Sequence, residues 1–140
     1  MNSLSIKKLD PEATLPTRAH HDDAGLDLYG LEDKVVAPGE GMMLRTGVAV
    51  AVPERHVGLI SDRSSLAKRG LKTAGGIIDA GYRGELGVLA WNLSNGPIAL
   101  KRGDRIAQLL IVPIATPAPV ETDDLGETKR GVGGFGSTGR

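Results

Sequence analysis

A chain of 140 residues with 17 basic and 17 acidic side chains has no net field to grip nucleic acid, so any anion site on it must be local. It is long enough to bury about two thirds of its unfolded surface as one domain; it has no cysteine, which fits a cytoplasmic location. No apolar run approaches the ~20 residues of a membrane span, and the opening "MNSLSIKKLD" lacks the apolar stretch of a secretory leader.

Glycine is abundant, at 20 residues, and aromatics make up only 3%, so the core must be aliphatic and the chain must turn often. Strands are expected at 4–9, 25–30 and 34–37, followed by a turn at 38–41. Residues 42–52 read as one strand bent near Gly47 or as two short ones, and 56–61 as the next. The only helical candidate is "SDRSSLAKRG" at 61–70, with Ser61 or Asp62 as cap and Gly70 as stop. Further strands are expected at 75–78, 85–93, 97–101 and 105–114, with 94–96 and 102–104 as hairpin turns. This pattern predicts an all-β sandwich or barrel with one short helix. We divide the chain into a β-rich core (1–114), an extended Pro- and acid-rich arm (115–129) and a glycine-rich C-terminal segment (130–140).

That last segment contains "GVGGFG", a G-x-G-x-x-G match without the strand and helix that a dinucleotide fold requires. An arginine, hydroxyls and bare amides are nonetheless phosphate ligands, and Phe135 offers a surface for base stacking. Asp27 stands between Leu26 and Leu28, so strand alternation turns it to the opposite face. It is either a solvent-facing residue or a carboxylate near a metal. Arg63, Ser64 and Ser65 open the short helix, where free amides and a guanidinium suit phosphate. "GGIIDAGYRG" (75–84) reads either as a plain hairpin with Asp79 at its turn or as backbone offered to a base edge, with Tyr82 against a sugar. In "RGDRIAQLL", alternation groups Arg105 with Ala107 and Leu109, and Gln108 with Ile106 and Leu110. "HHDD" (20–23) lacks metal-ligand spacing and reads as a polar loop.

Five of these stretches, "AGLDL" (24–28), "DRSSLA" (62–67), "GGIIDAGYRGEL" (75–86), "GDRIAQL" (103–109) and "RGVGGFGSTG" (130–139), resemble in order the motifs of the trimeric dUTPases. The resemblance implies a jelly-roll-like subunit and a homotrimer with sites at subunit interfaces. It also implies Mg²⁺-assisted hydrolysis of dUTP to dUMP and pyrophosphate, which limits uracil in DNA and supplies dUMP for dTMP synthesis. By the same resemblance Asp79 activates water, Tyr82 packs on deoxyribose, and the backbone of 74–82, including Gly76 and Ile78, reads uracil. Asp27 holds Mg²⁺ through its waters. Arg63, Ser64, Ser65, Arg105 and Gln108 bind phosphate. Arg130, Ser137 and Thr138 clamp the γ-phosphate, Gly136 binds substrate in the same segment, and Phe135 covers the base. Three positions depart from the pattern: Asp62, where a proline is common, Thr73, where some members have an asparagine, and Val132, where a polar residue is frequent. The related dCTP deaminases need a glutamate at the position of Leu89, which leucine cannot replace.

Overall fold

The computed structural model describes residues 3–136 and 138–139; Ser137, implied above as a phosphate ligand, lies outside them. Among the described residues the chain forms short strands and a single helix, in the order β1 (Ser5–Lys8), β2 (Leu26–Tyr29), β3 (Lys34–Val36), β4 (Gly41–Arg45), β5 (Val48–Ala51), β6 (His56–Ser61), α1 (Ser64–Lys68), β7 (Leu71–Ala74), β8 (Ile77–Ile78), β9 (Gly87–Asn92), β10 (Ile98–Leu100) and β11 (Arg105–Pro113). The 42–52 stretch is thus two strands. The pairing is antiparallel throughout, in sheets ordered β1-β5, β10-β3, β2-β11-β6-β8 and β4-β9-β7.

The core is aliphatic, as the composition requires: Leu28, Leu71, Leu86, Val88, Ile106 and Leu109 are fully buried, and no aromatic side chain is among the buried ones described. Each such leucine contributes about 1.5–3 kcal/mol through burial. Tyr82, Trp91 and Phe135 are exposed instead, the Tyr82 and Trp91 rings lying over Gly84 and Gly41 and the Phe135 ring wholly in solvent.

Three local expectations are corrected. The turns at 94–96 and 102–104 are not hairpins: β9 pairs with β4 and β7, β10 with β3, and β11 with β2 and β6. Each turn therefore carries the chain from one sheet to another. Buried Asn92 organises the first of them, donating to the carbonyls of Val36 and Gly96, both at 2.8 Å, and accepting from the amide and hydroxyl of Ser94. Satisfying the amide on both sides avoids the ~1–3 kcal/mol cost of an unpaired buried group. Nor is 75–84 a plain hairpin turning at Asp79: β8, before that turn, pairs with β6, and β9, after it, pairs with β4 and β7.

The helix cap is the second correction. Arg63 occupies the N-cap position of α1 with no side-chain capping bond, and Asp62 is engaged elsewhere. Gly70 does end the helix, at φ 101°, its amide donating to Ala67 O.

The third correction concerns β11. A register shift between Arg105 and Ala107 breaks its alternation, so Ile106 and Ala107 are both buried. Arg105 pairs with Tyr29 and Gln108 with Asp27. Tyr29 and Asp27 are two residues apart on β2, and paired residues share a face. The bulge therefore sets Arg105 and Gln108 on one polar face with Asp27, where uninterrupted alternation would have separated them.

Candidate functional site

On that polar face Asp27 stands between two guanidinium groups. Arg63 Nε lies 3.5 Å from Asp27 Oδ1 and Arg105 Nη1 lies 3.6 Å from Oδ2. Arg63 Nη1 also donates to Arg105 O at 3.2 Å, fixing the two arginines relative to each other. Gln108 Nε2 donates to Asp62 O at 2.8 Å, which ties β11 to the turn carrying Arg63. A Cβ at Gly25 would fall on the Gln108 side chain, so a larger residue there would displace it from this position. Beside this cluster a cleft of about 370 Å³ is lined by Arg63, Ser65, Arg69, Gly103 and Arg105, among others. With α1 only five residues long, positive charge in the cleft comes mainly from these arginines rather than from a helix dipole.

Asp79 and Tyr82 lie elsewhere on the chain. Gly76 (φ 87°) passes against β6, where a Cβ would approach Ile60 O to 2.7 Å, and its own carbonyl accepts from the Ile60 amide. This close crossing delivers β8 to the edge of the β6 sheet, with Ile78 paired to Gly58. A turn follows, closed by the Tyr82 amide donating to Asp79 O at 3.1 Å. Ile78, Asp79 and Tyr82 then line a second cleft, of about 410 Å³, together with Met43, Arg45, Ile77, Glu85 and Gly87. The two clefts share no lining residue.

Residues 115–129 contain no strand and are exposed, and the described part of the C-terminal segment continues as turns. Arg130 donates to Gly133 O at 2.7 Å, curling the segment on itself, and the Phe135 ring projects fully into solvent. Gly136 and Thr138 are exposed as well.

Two parts of this arrangement were not anticipated from the sequence. One is the Arg45–Glu85 pair in the wall of the Asp79 cleft, where Arg45 Nη2 and Nε donate to the two carboxylate oxygens at 3.0 and 3.1 Å. Those hydrogen bonds hold the Glu85 carboxyl below its ordinary range, against the opposing effect of burial. The residues are 40 apart in sequence, so neither segment carries a local signal. The other is Asp62: burial works against its ionisation, but the hydroxyl and amide of Thr73, with Lys72, together keep its carboxyl below the usual value.

In the order of their residues, these features match known proteins along nearly the whole chain. A family model for dUTPase matches residues 11–139. The deoxyuridine 5'-triphosphate nucleotidohydrolase of Mycobacterium marinum is 50% identical over 99% of this chain and 96% of its own length. Among solved structures, a mutant dUTPase of Staphylococcus bacteriophage 80alpha with dUpNHpp has a TM-score of 0.95 at 34% identity and covers 100% of both chains. A mutant dUTPase from phage phi11 of S. aureus, whose structure reveals the coordination of a structural Mg(II) ion, has a TM-score of 0.84 at 32% identity over 89% of this chain and 99% of that one. The all-antiparallel β fold, the motif order and this agreement in sequence place the chain in one family: it belongs to the dUTPases.

Proposed function

We propose a route by which this dUTPase converts dUTP to dUMP and pyrophosphate, in which one active site is assembled from different subunits of a homotrimer. The observation that carries it is the separation of the two clefts. Asp79 and Tyr82 line one, while Arg63, Ser65 and Arg105 line the other, with no residue in common. A nucleoside triphosphate needs both sets, so the base-and-sugar cleft of one subunit meets the phosphate cluster of the next. The arm 115–129 leads the segment 130–140 to a neighbouring site as a lid.

In this reading the crossover at Gly76 and Ile78 presents backbone groups to uracil, and the Tyr82 ring packs where a 2′-hydroxyl would stand. Asp79 accepts a proton from water as its oxygen bonds to the α-phosphorus, the α–β bridging bond breaks, and pyrophosphate leaves. Arg63, Ser64, Ser65, Arg105 and Gln108 hold the phosphates in line for this attack. Arg130, Gly136, Ser137 and Thr138 close on the γ-phosphate, and Phe135 covers the base. Its exposure in the free chain follows, because the surface it packs on is the substrate.

A triphosphate carries about four negative charges near neutral pH, and the arginines offset only part of them. Asp27 is the carboxylate among these phosphate ligands, and no group of three or more His, Cys, Asp or Glu residues gathers to hold a metal among the described residues. That donor set fits Mg²⁺, which keeps its waters and is held by one or two carboxylates together with substrate phosphates. When bound, Mg²⁺ neutralises charge on the phosphates, and Asp27 would hold it through water while aligning Arg63 and Arg105.

No helix is long and apolar enough to cross a membrane among the described residues. We place the enzyme in the cytoplasm, acting on free nucleotides rather than on nucleic acid. The test is product analysis with dUTP, dCTP, dTTP and UTP in Mg²⁺. Pyrophosphate release from dUTP alone is expected; ammonia from dCTP, or no reaction with dUTP, would overturn the reading.

A further inference from the structure

Asp62 follows β6 directly and precedes Arg63, and its carboxylate reaches across to a different sheet. Oδ1 accepts from the Thr73 amide at 2.7 Å and from the Thr73 hydroxyl at 2.6 Å, while Oδ2 accepts from Lys72 Nζ at 2.9 Å. Thr73 belongs to β7, the edge strand of the β4-β9-β7 sheet, so its outward amide has no strand partner. The carboxylate supplies the missing acceptor, as a further strand would. Thr73 is nearly buried, at 8% exposure, and lies two residues before Gly75, where the crossover to Asp79 begins. The main-chain carbonyl of Asp62 meanwhile accepts from Gln108.

One residue thus joins three parts of the proposed machinery. Through the chain it carries Arg63, through its carbonyl it fixes Gln108, and through its carboxylate it anchors the strand from which the base-reading crossover departs. We propose that Asp62 is a positioning residue that locks the phosphate-binding turn to the root of the base-reading crossover, a role that rests on the functional reading above. The bonds are charge-assisted, hence stronger than neutral ones. Asp62 acts through groups that bind substrate and transition state alike, so its loss should weaken binding rather than slow chemistry.

The test is steady-state kinetics and hydrogen exchange on the full chain with D62A, D62N, T73V and the D62A/T73V double variant. D62A should raise KM for dUTP about ten-fold with kcat within about two-fold, and D62N, which keeps one carbonyl acceptor, should fall between D62A and the parent. T73V removes only the hydroxyl donor and should raise KM about three-fold, with no further rise when added to D62A. An unchanged KM in folded D62A, a loss confined to kcat, or independent addition of the two effects would overturn the proposal. Should D62A fail to fold, D62N and T73V carry the same test, and an unchanged KM in both overturns it. Exchange of the Thr73 amide should quicken in D62N and D62A whether or not the protein turns over dUTP; unchanged exchange also overturns the lock. A parent protein inert toward dUTP would instead sink the functional reading alone.

Discussion

The Tyr82 hydroxyl donates to the main-chain carbonyl of Glu85 at 2.8 Å, folding the ring back over Gly84. A Cβ at Gly84 would come within 2.5 Å of the phenol oxygen, so glycine is what lets the ring settle there. The Glu85 carboxylate is gripped in turn by Arg45, which makes the ring's anchor part of a rigid wall.

Tyr82→Ala should therefore open space beside the sugar and raise kcat/KM for UTP relative to dUTP about ten-fold or more, roughly the value of 1–3 kcal/mol of lost steric discrimination. Gly84→Ala should shift the same ratio in the same direction by displacing the ring. Competitive assays with the two nucleotides decide it, and an unchanged ratio in both variants would clear Tyr82 of this role.

Asp79→Asn keeps the shape of the side chain and removes its basicity. We expect kcat to fall about 10²–10⁴-fold, the usual range for loss of a positioned base, with dUTP affinity by calorimetry changed only a few-fold. Substantial residual turnover would show that another group activates the water.

A chain ending at Lys129 loses the segment from Arg130 onward, whose hydrogen bonds among the described residues stay within 128–139. It should melt at the temperature of the full chain yet turn over dUTP at least about 100-fold more slowly, if closure over substrate excludes water as proposed. Full activity in the shortened chain would refute the lid.

Acid should weaken the wall of the Asp79 cleft in a defined direction. Arg45 lowers the Glu85 carboxyl below its ordinary value of 4.5, so the pair stabilises the fold fully above that pH. The contribution is lost as pH falls from 4.5 through the lower folded value. Glu85→Gln should flatten this part of the acid-denaturation curve; an identical curve for the variant would show that the pair contributes nothing measurable.

Most strands, the short helix and the aliphatic core were legible because each depends on local signals: short apolar runs, turn residues and a shortage of aromatics; β7 was not, because Leu71–Ala74 has too few apolar residues to stand out between the helix and Gly75. Asp27 facing away from Leu26 and Leu28 followed from alternation alone. What failed depended on distant parts of the chain. Arg105 and Gln108 share a face only because of a bulge whose cause lies in pairing with β2. Asp62 looked like a helix cap because residues 61–70 contain no hint of Thr73, 11 residues away from Asp62 on another strand. Arg45 and Glu85 meet through the fold, and the hairpin turns failed because local sequence marks where the chain reverses, not which sheet it joins next.

The lack of any shared residue between the two clefts also bears on how defects combine. A subunit crippled at Asp79 still carries an intact arginine cluster, and one crippled at Arg63 still carries Asp79. If inactive D79N and R63A chains are unfolded and refolded together, about a quarter of the junctions in randomly mixed rings should unite two sound halves. Activity would then reappear from two dead parents, as in intragenic complementation.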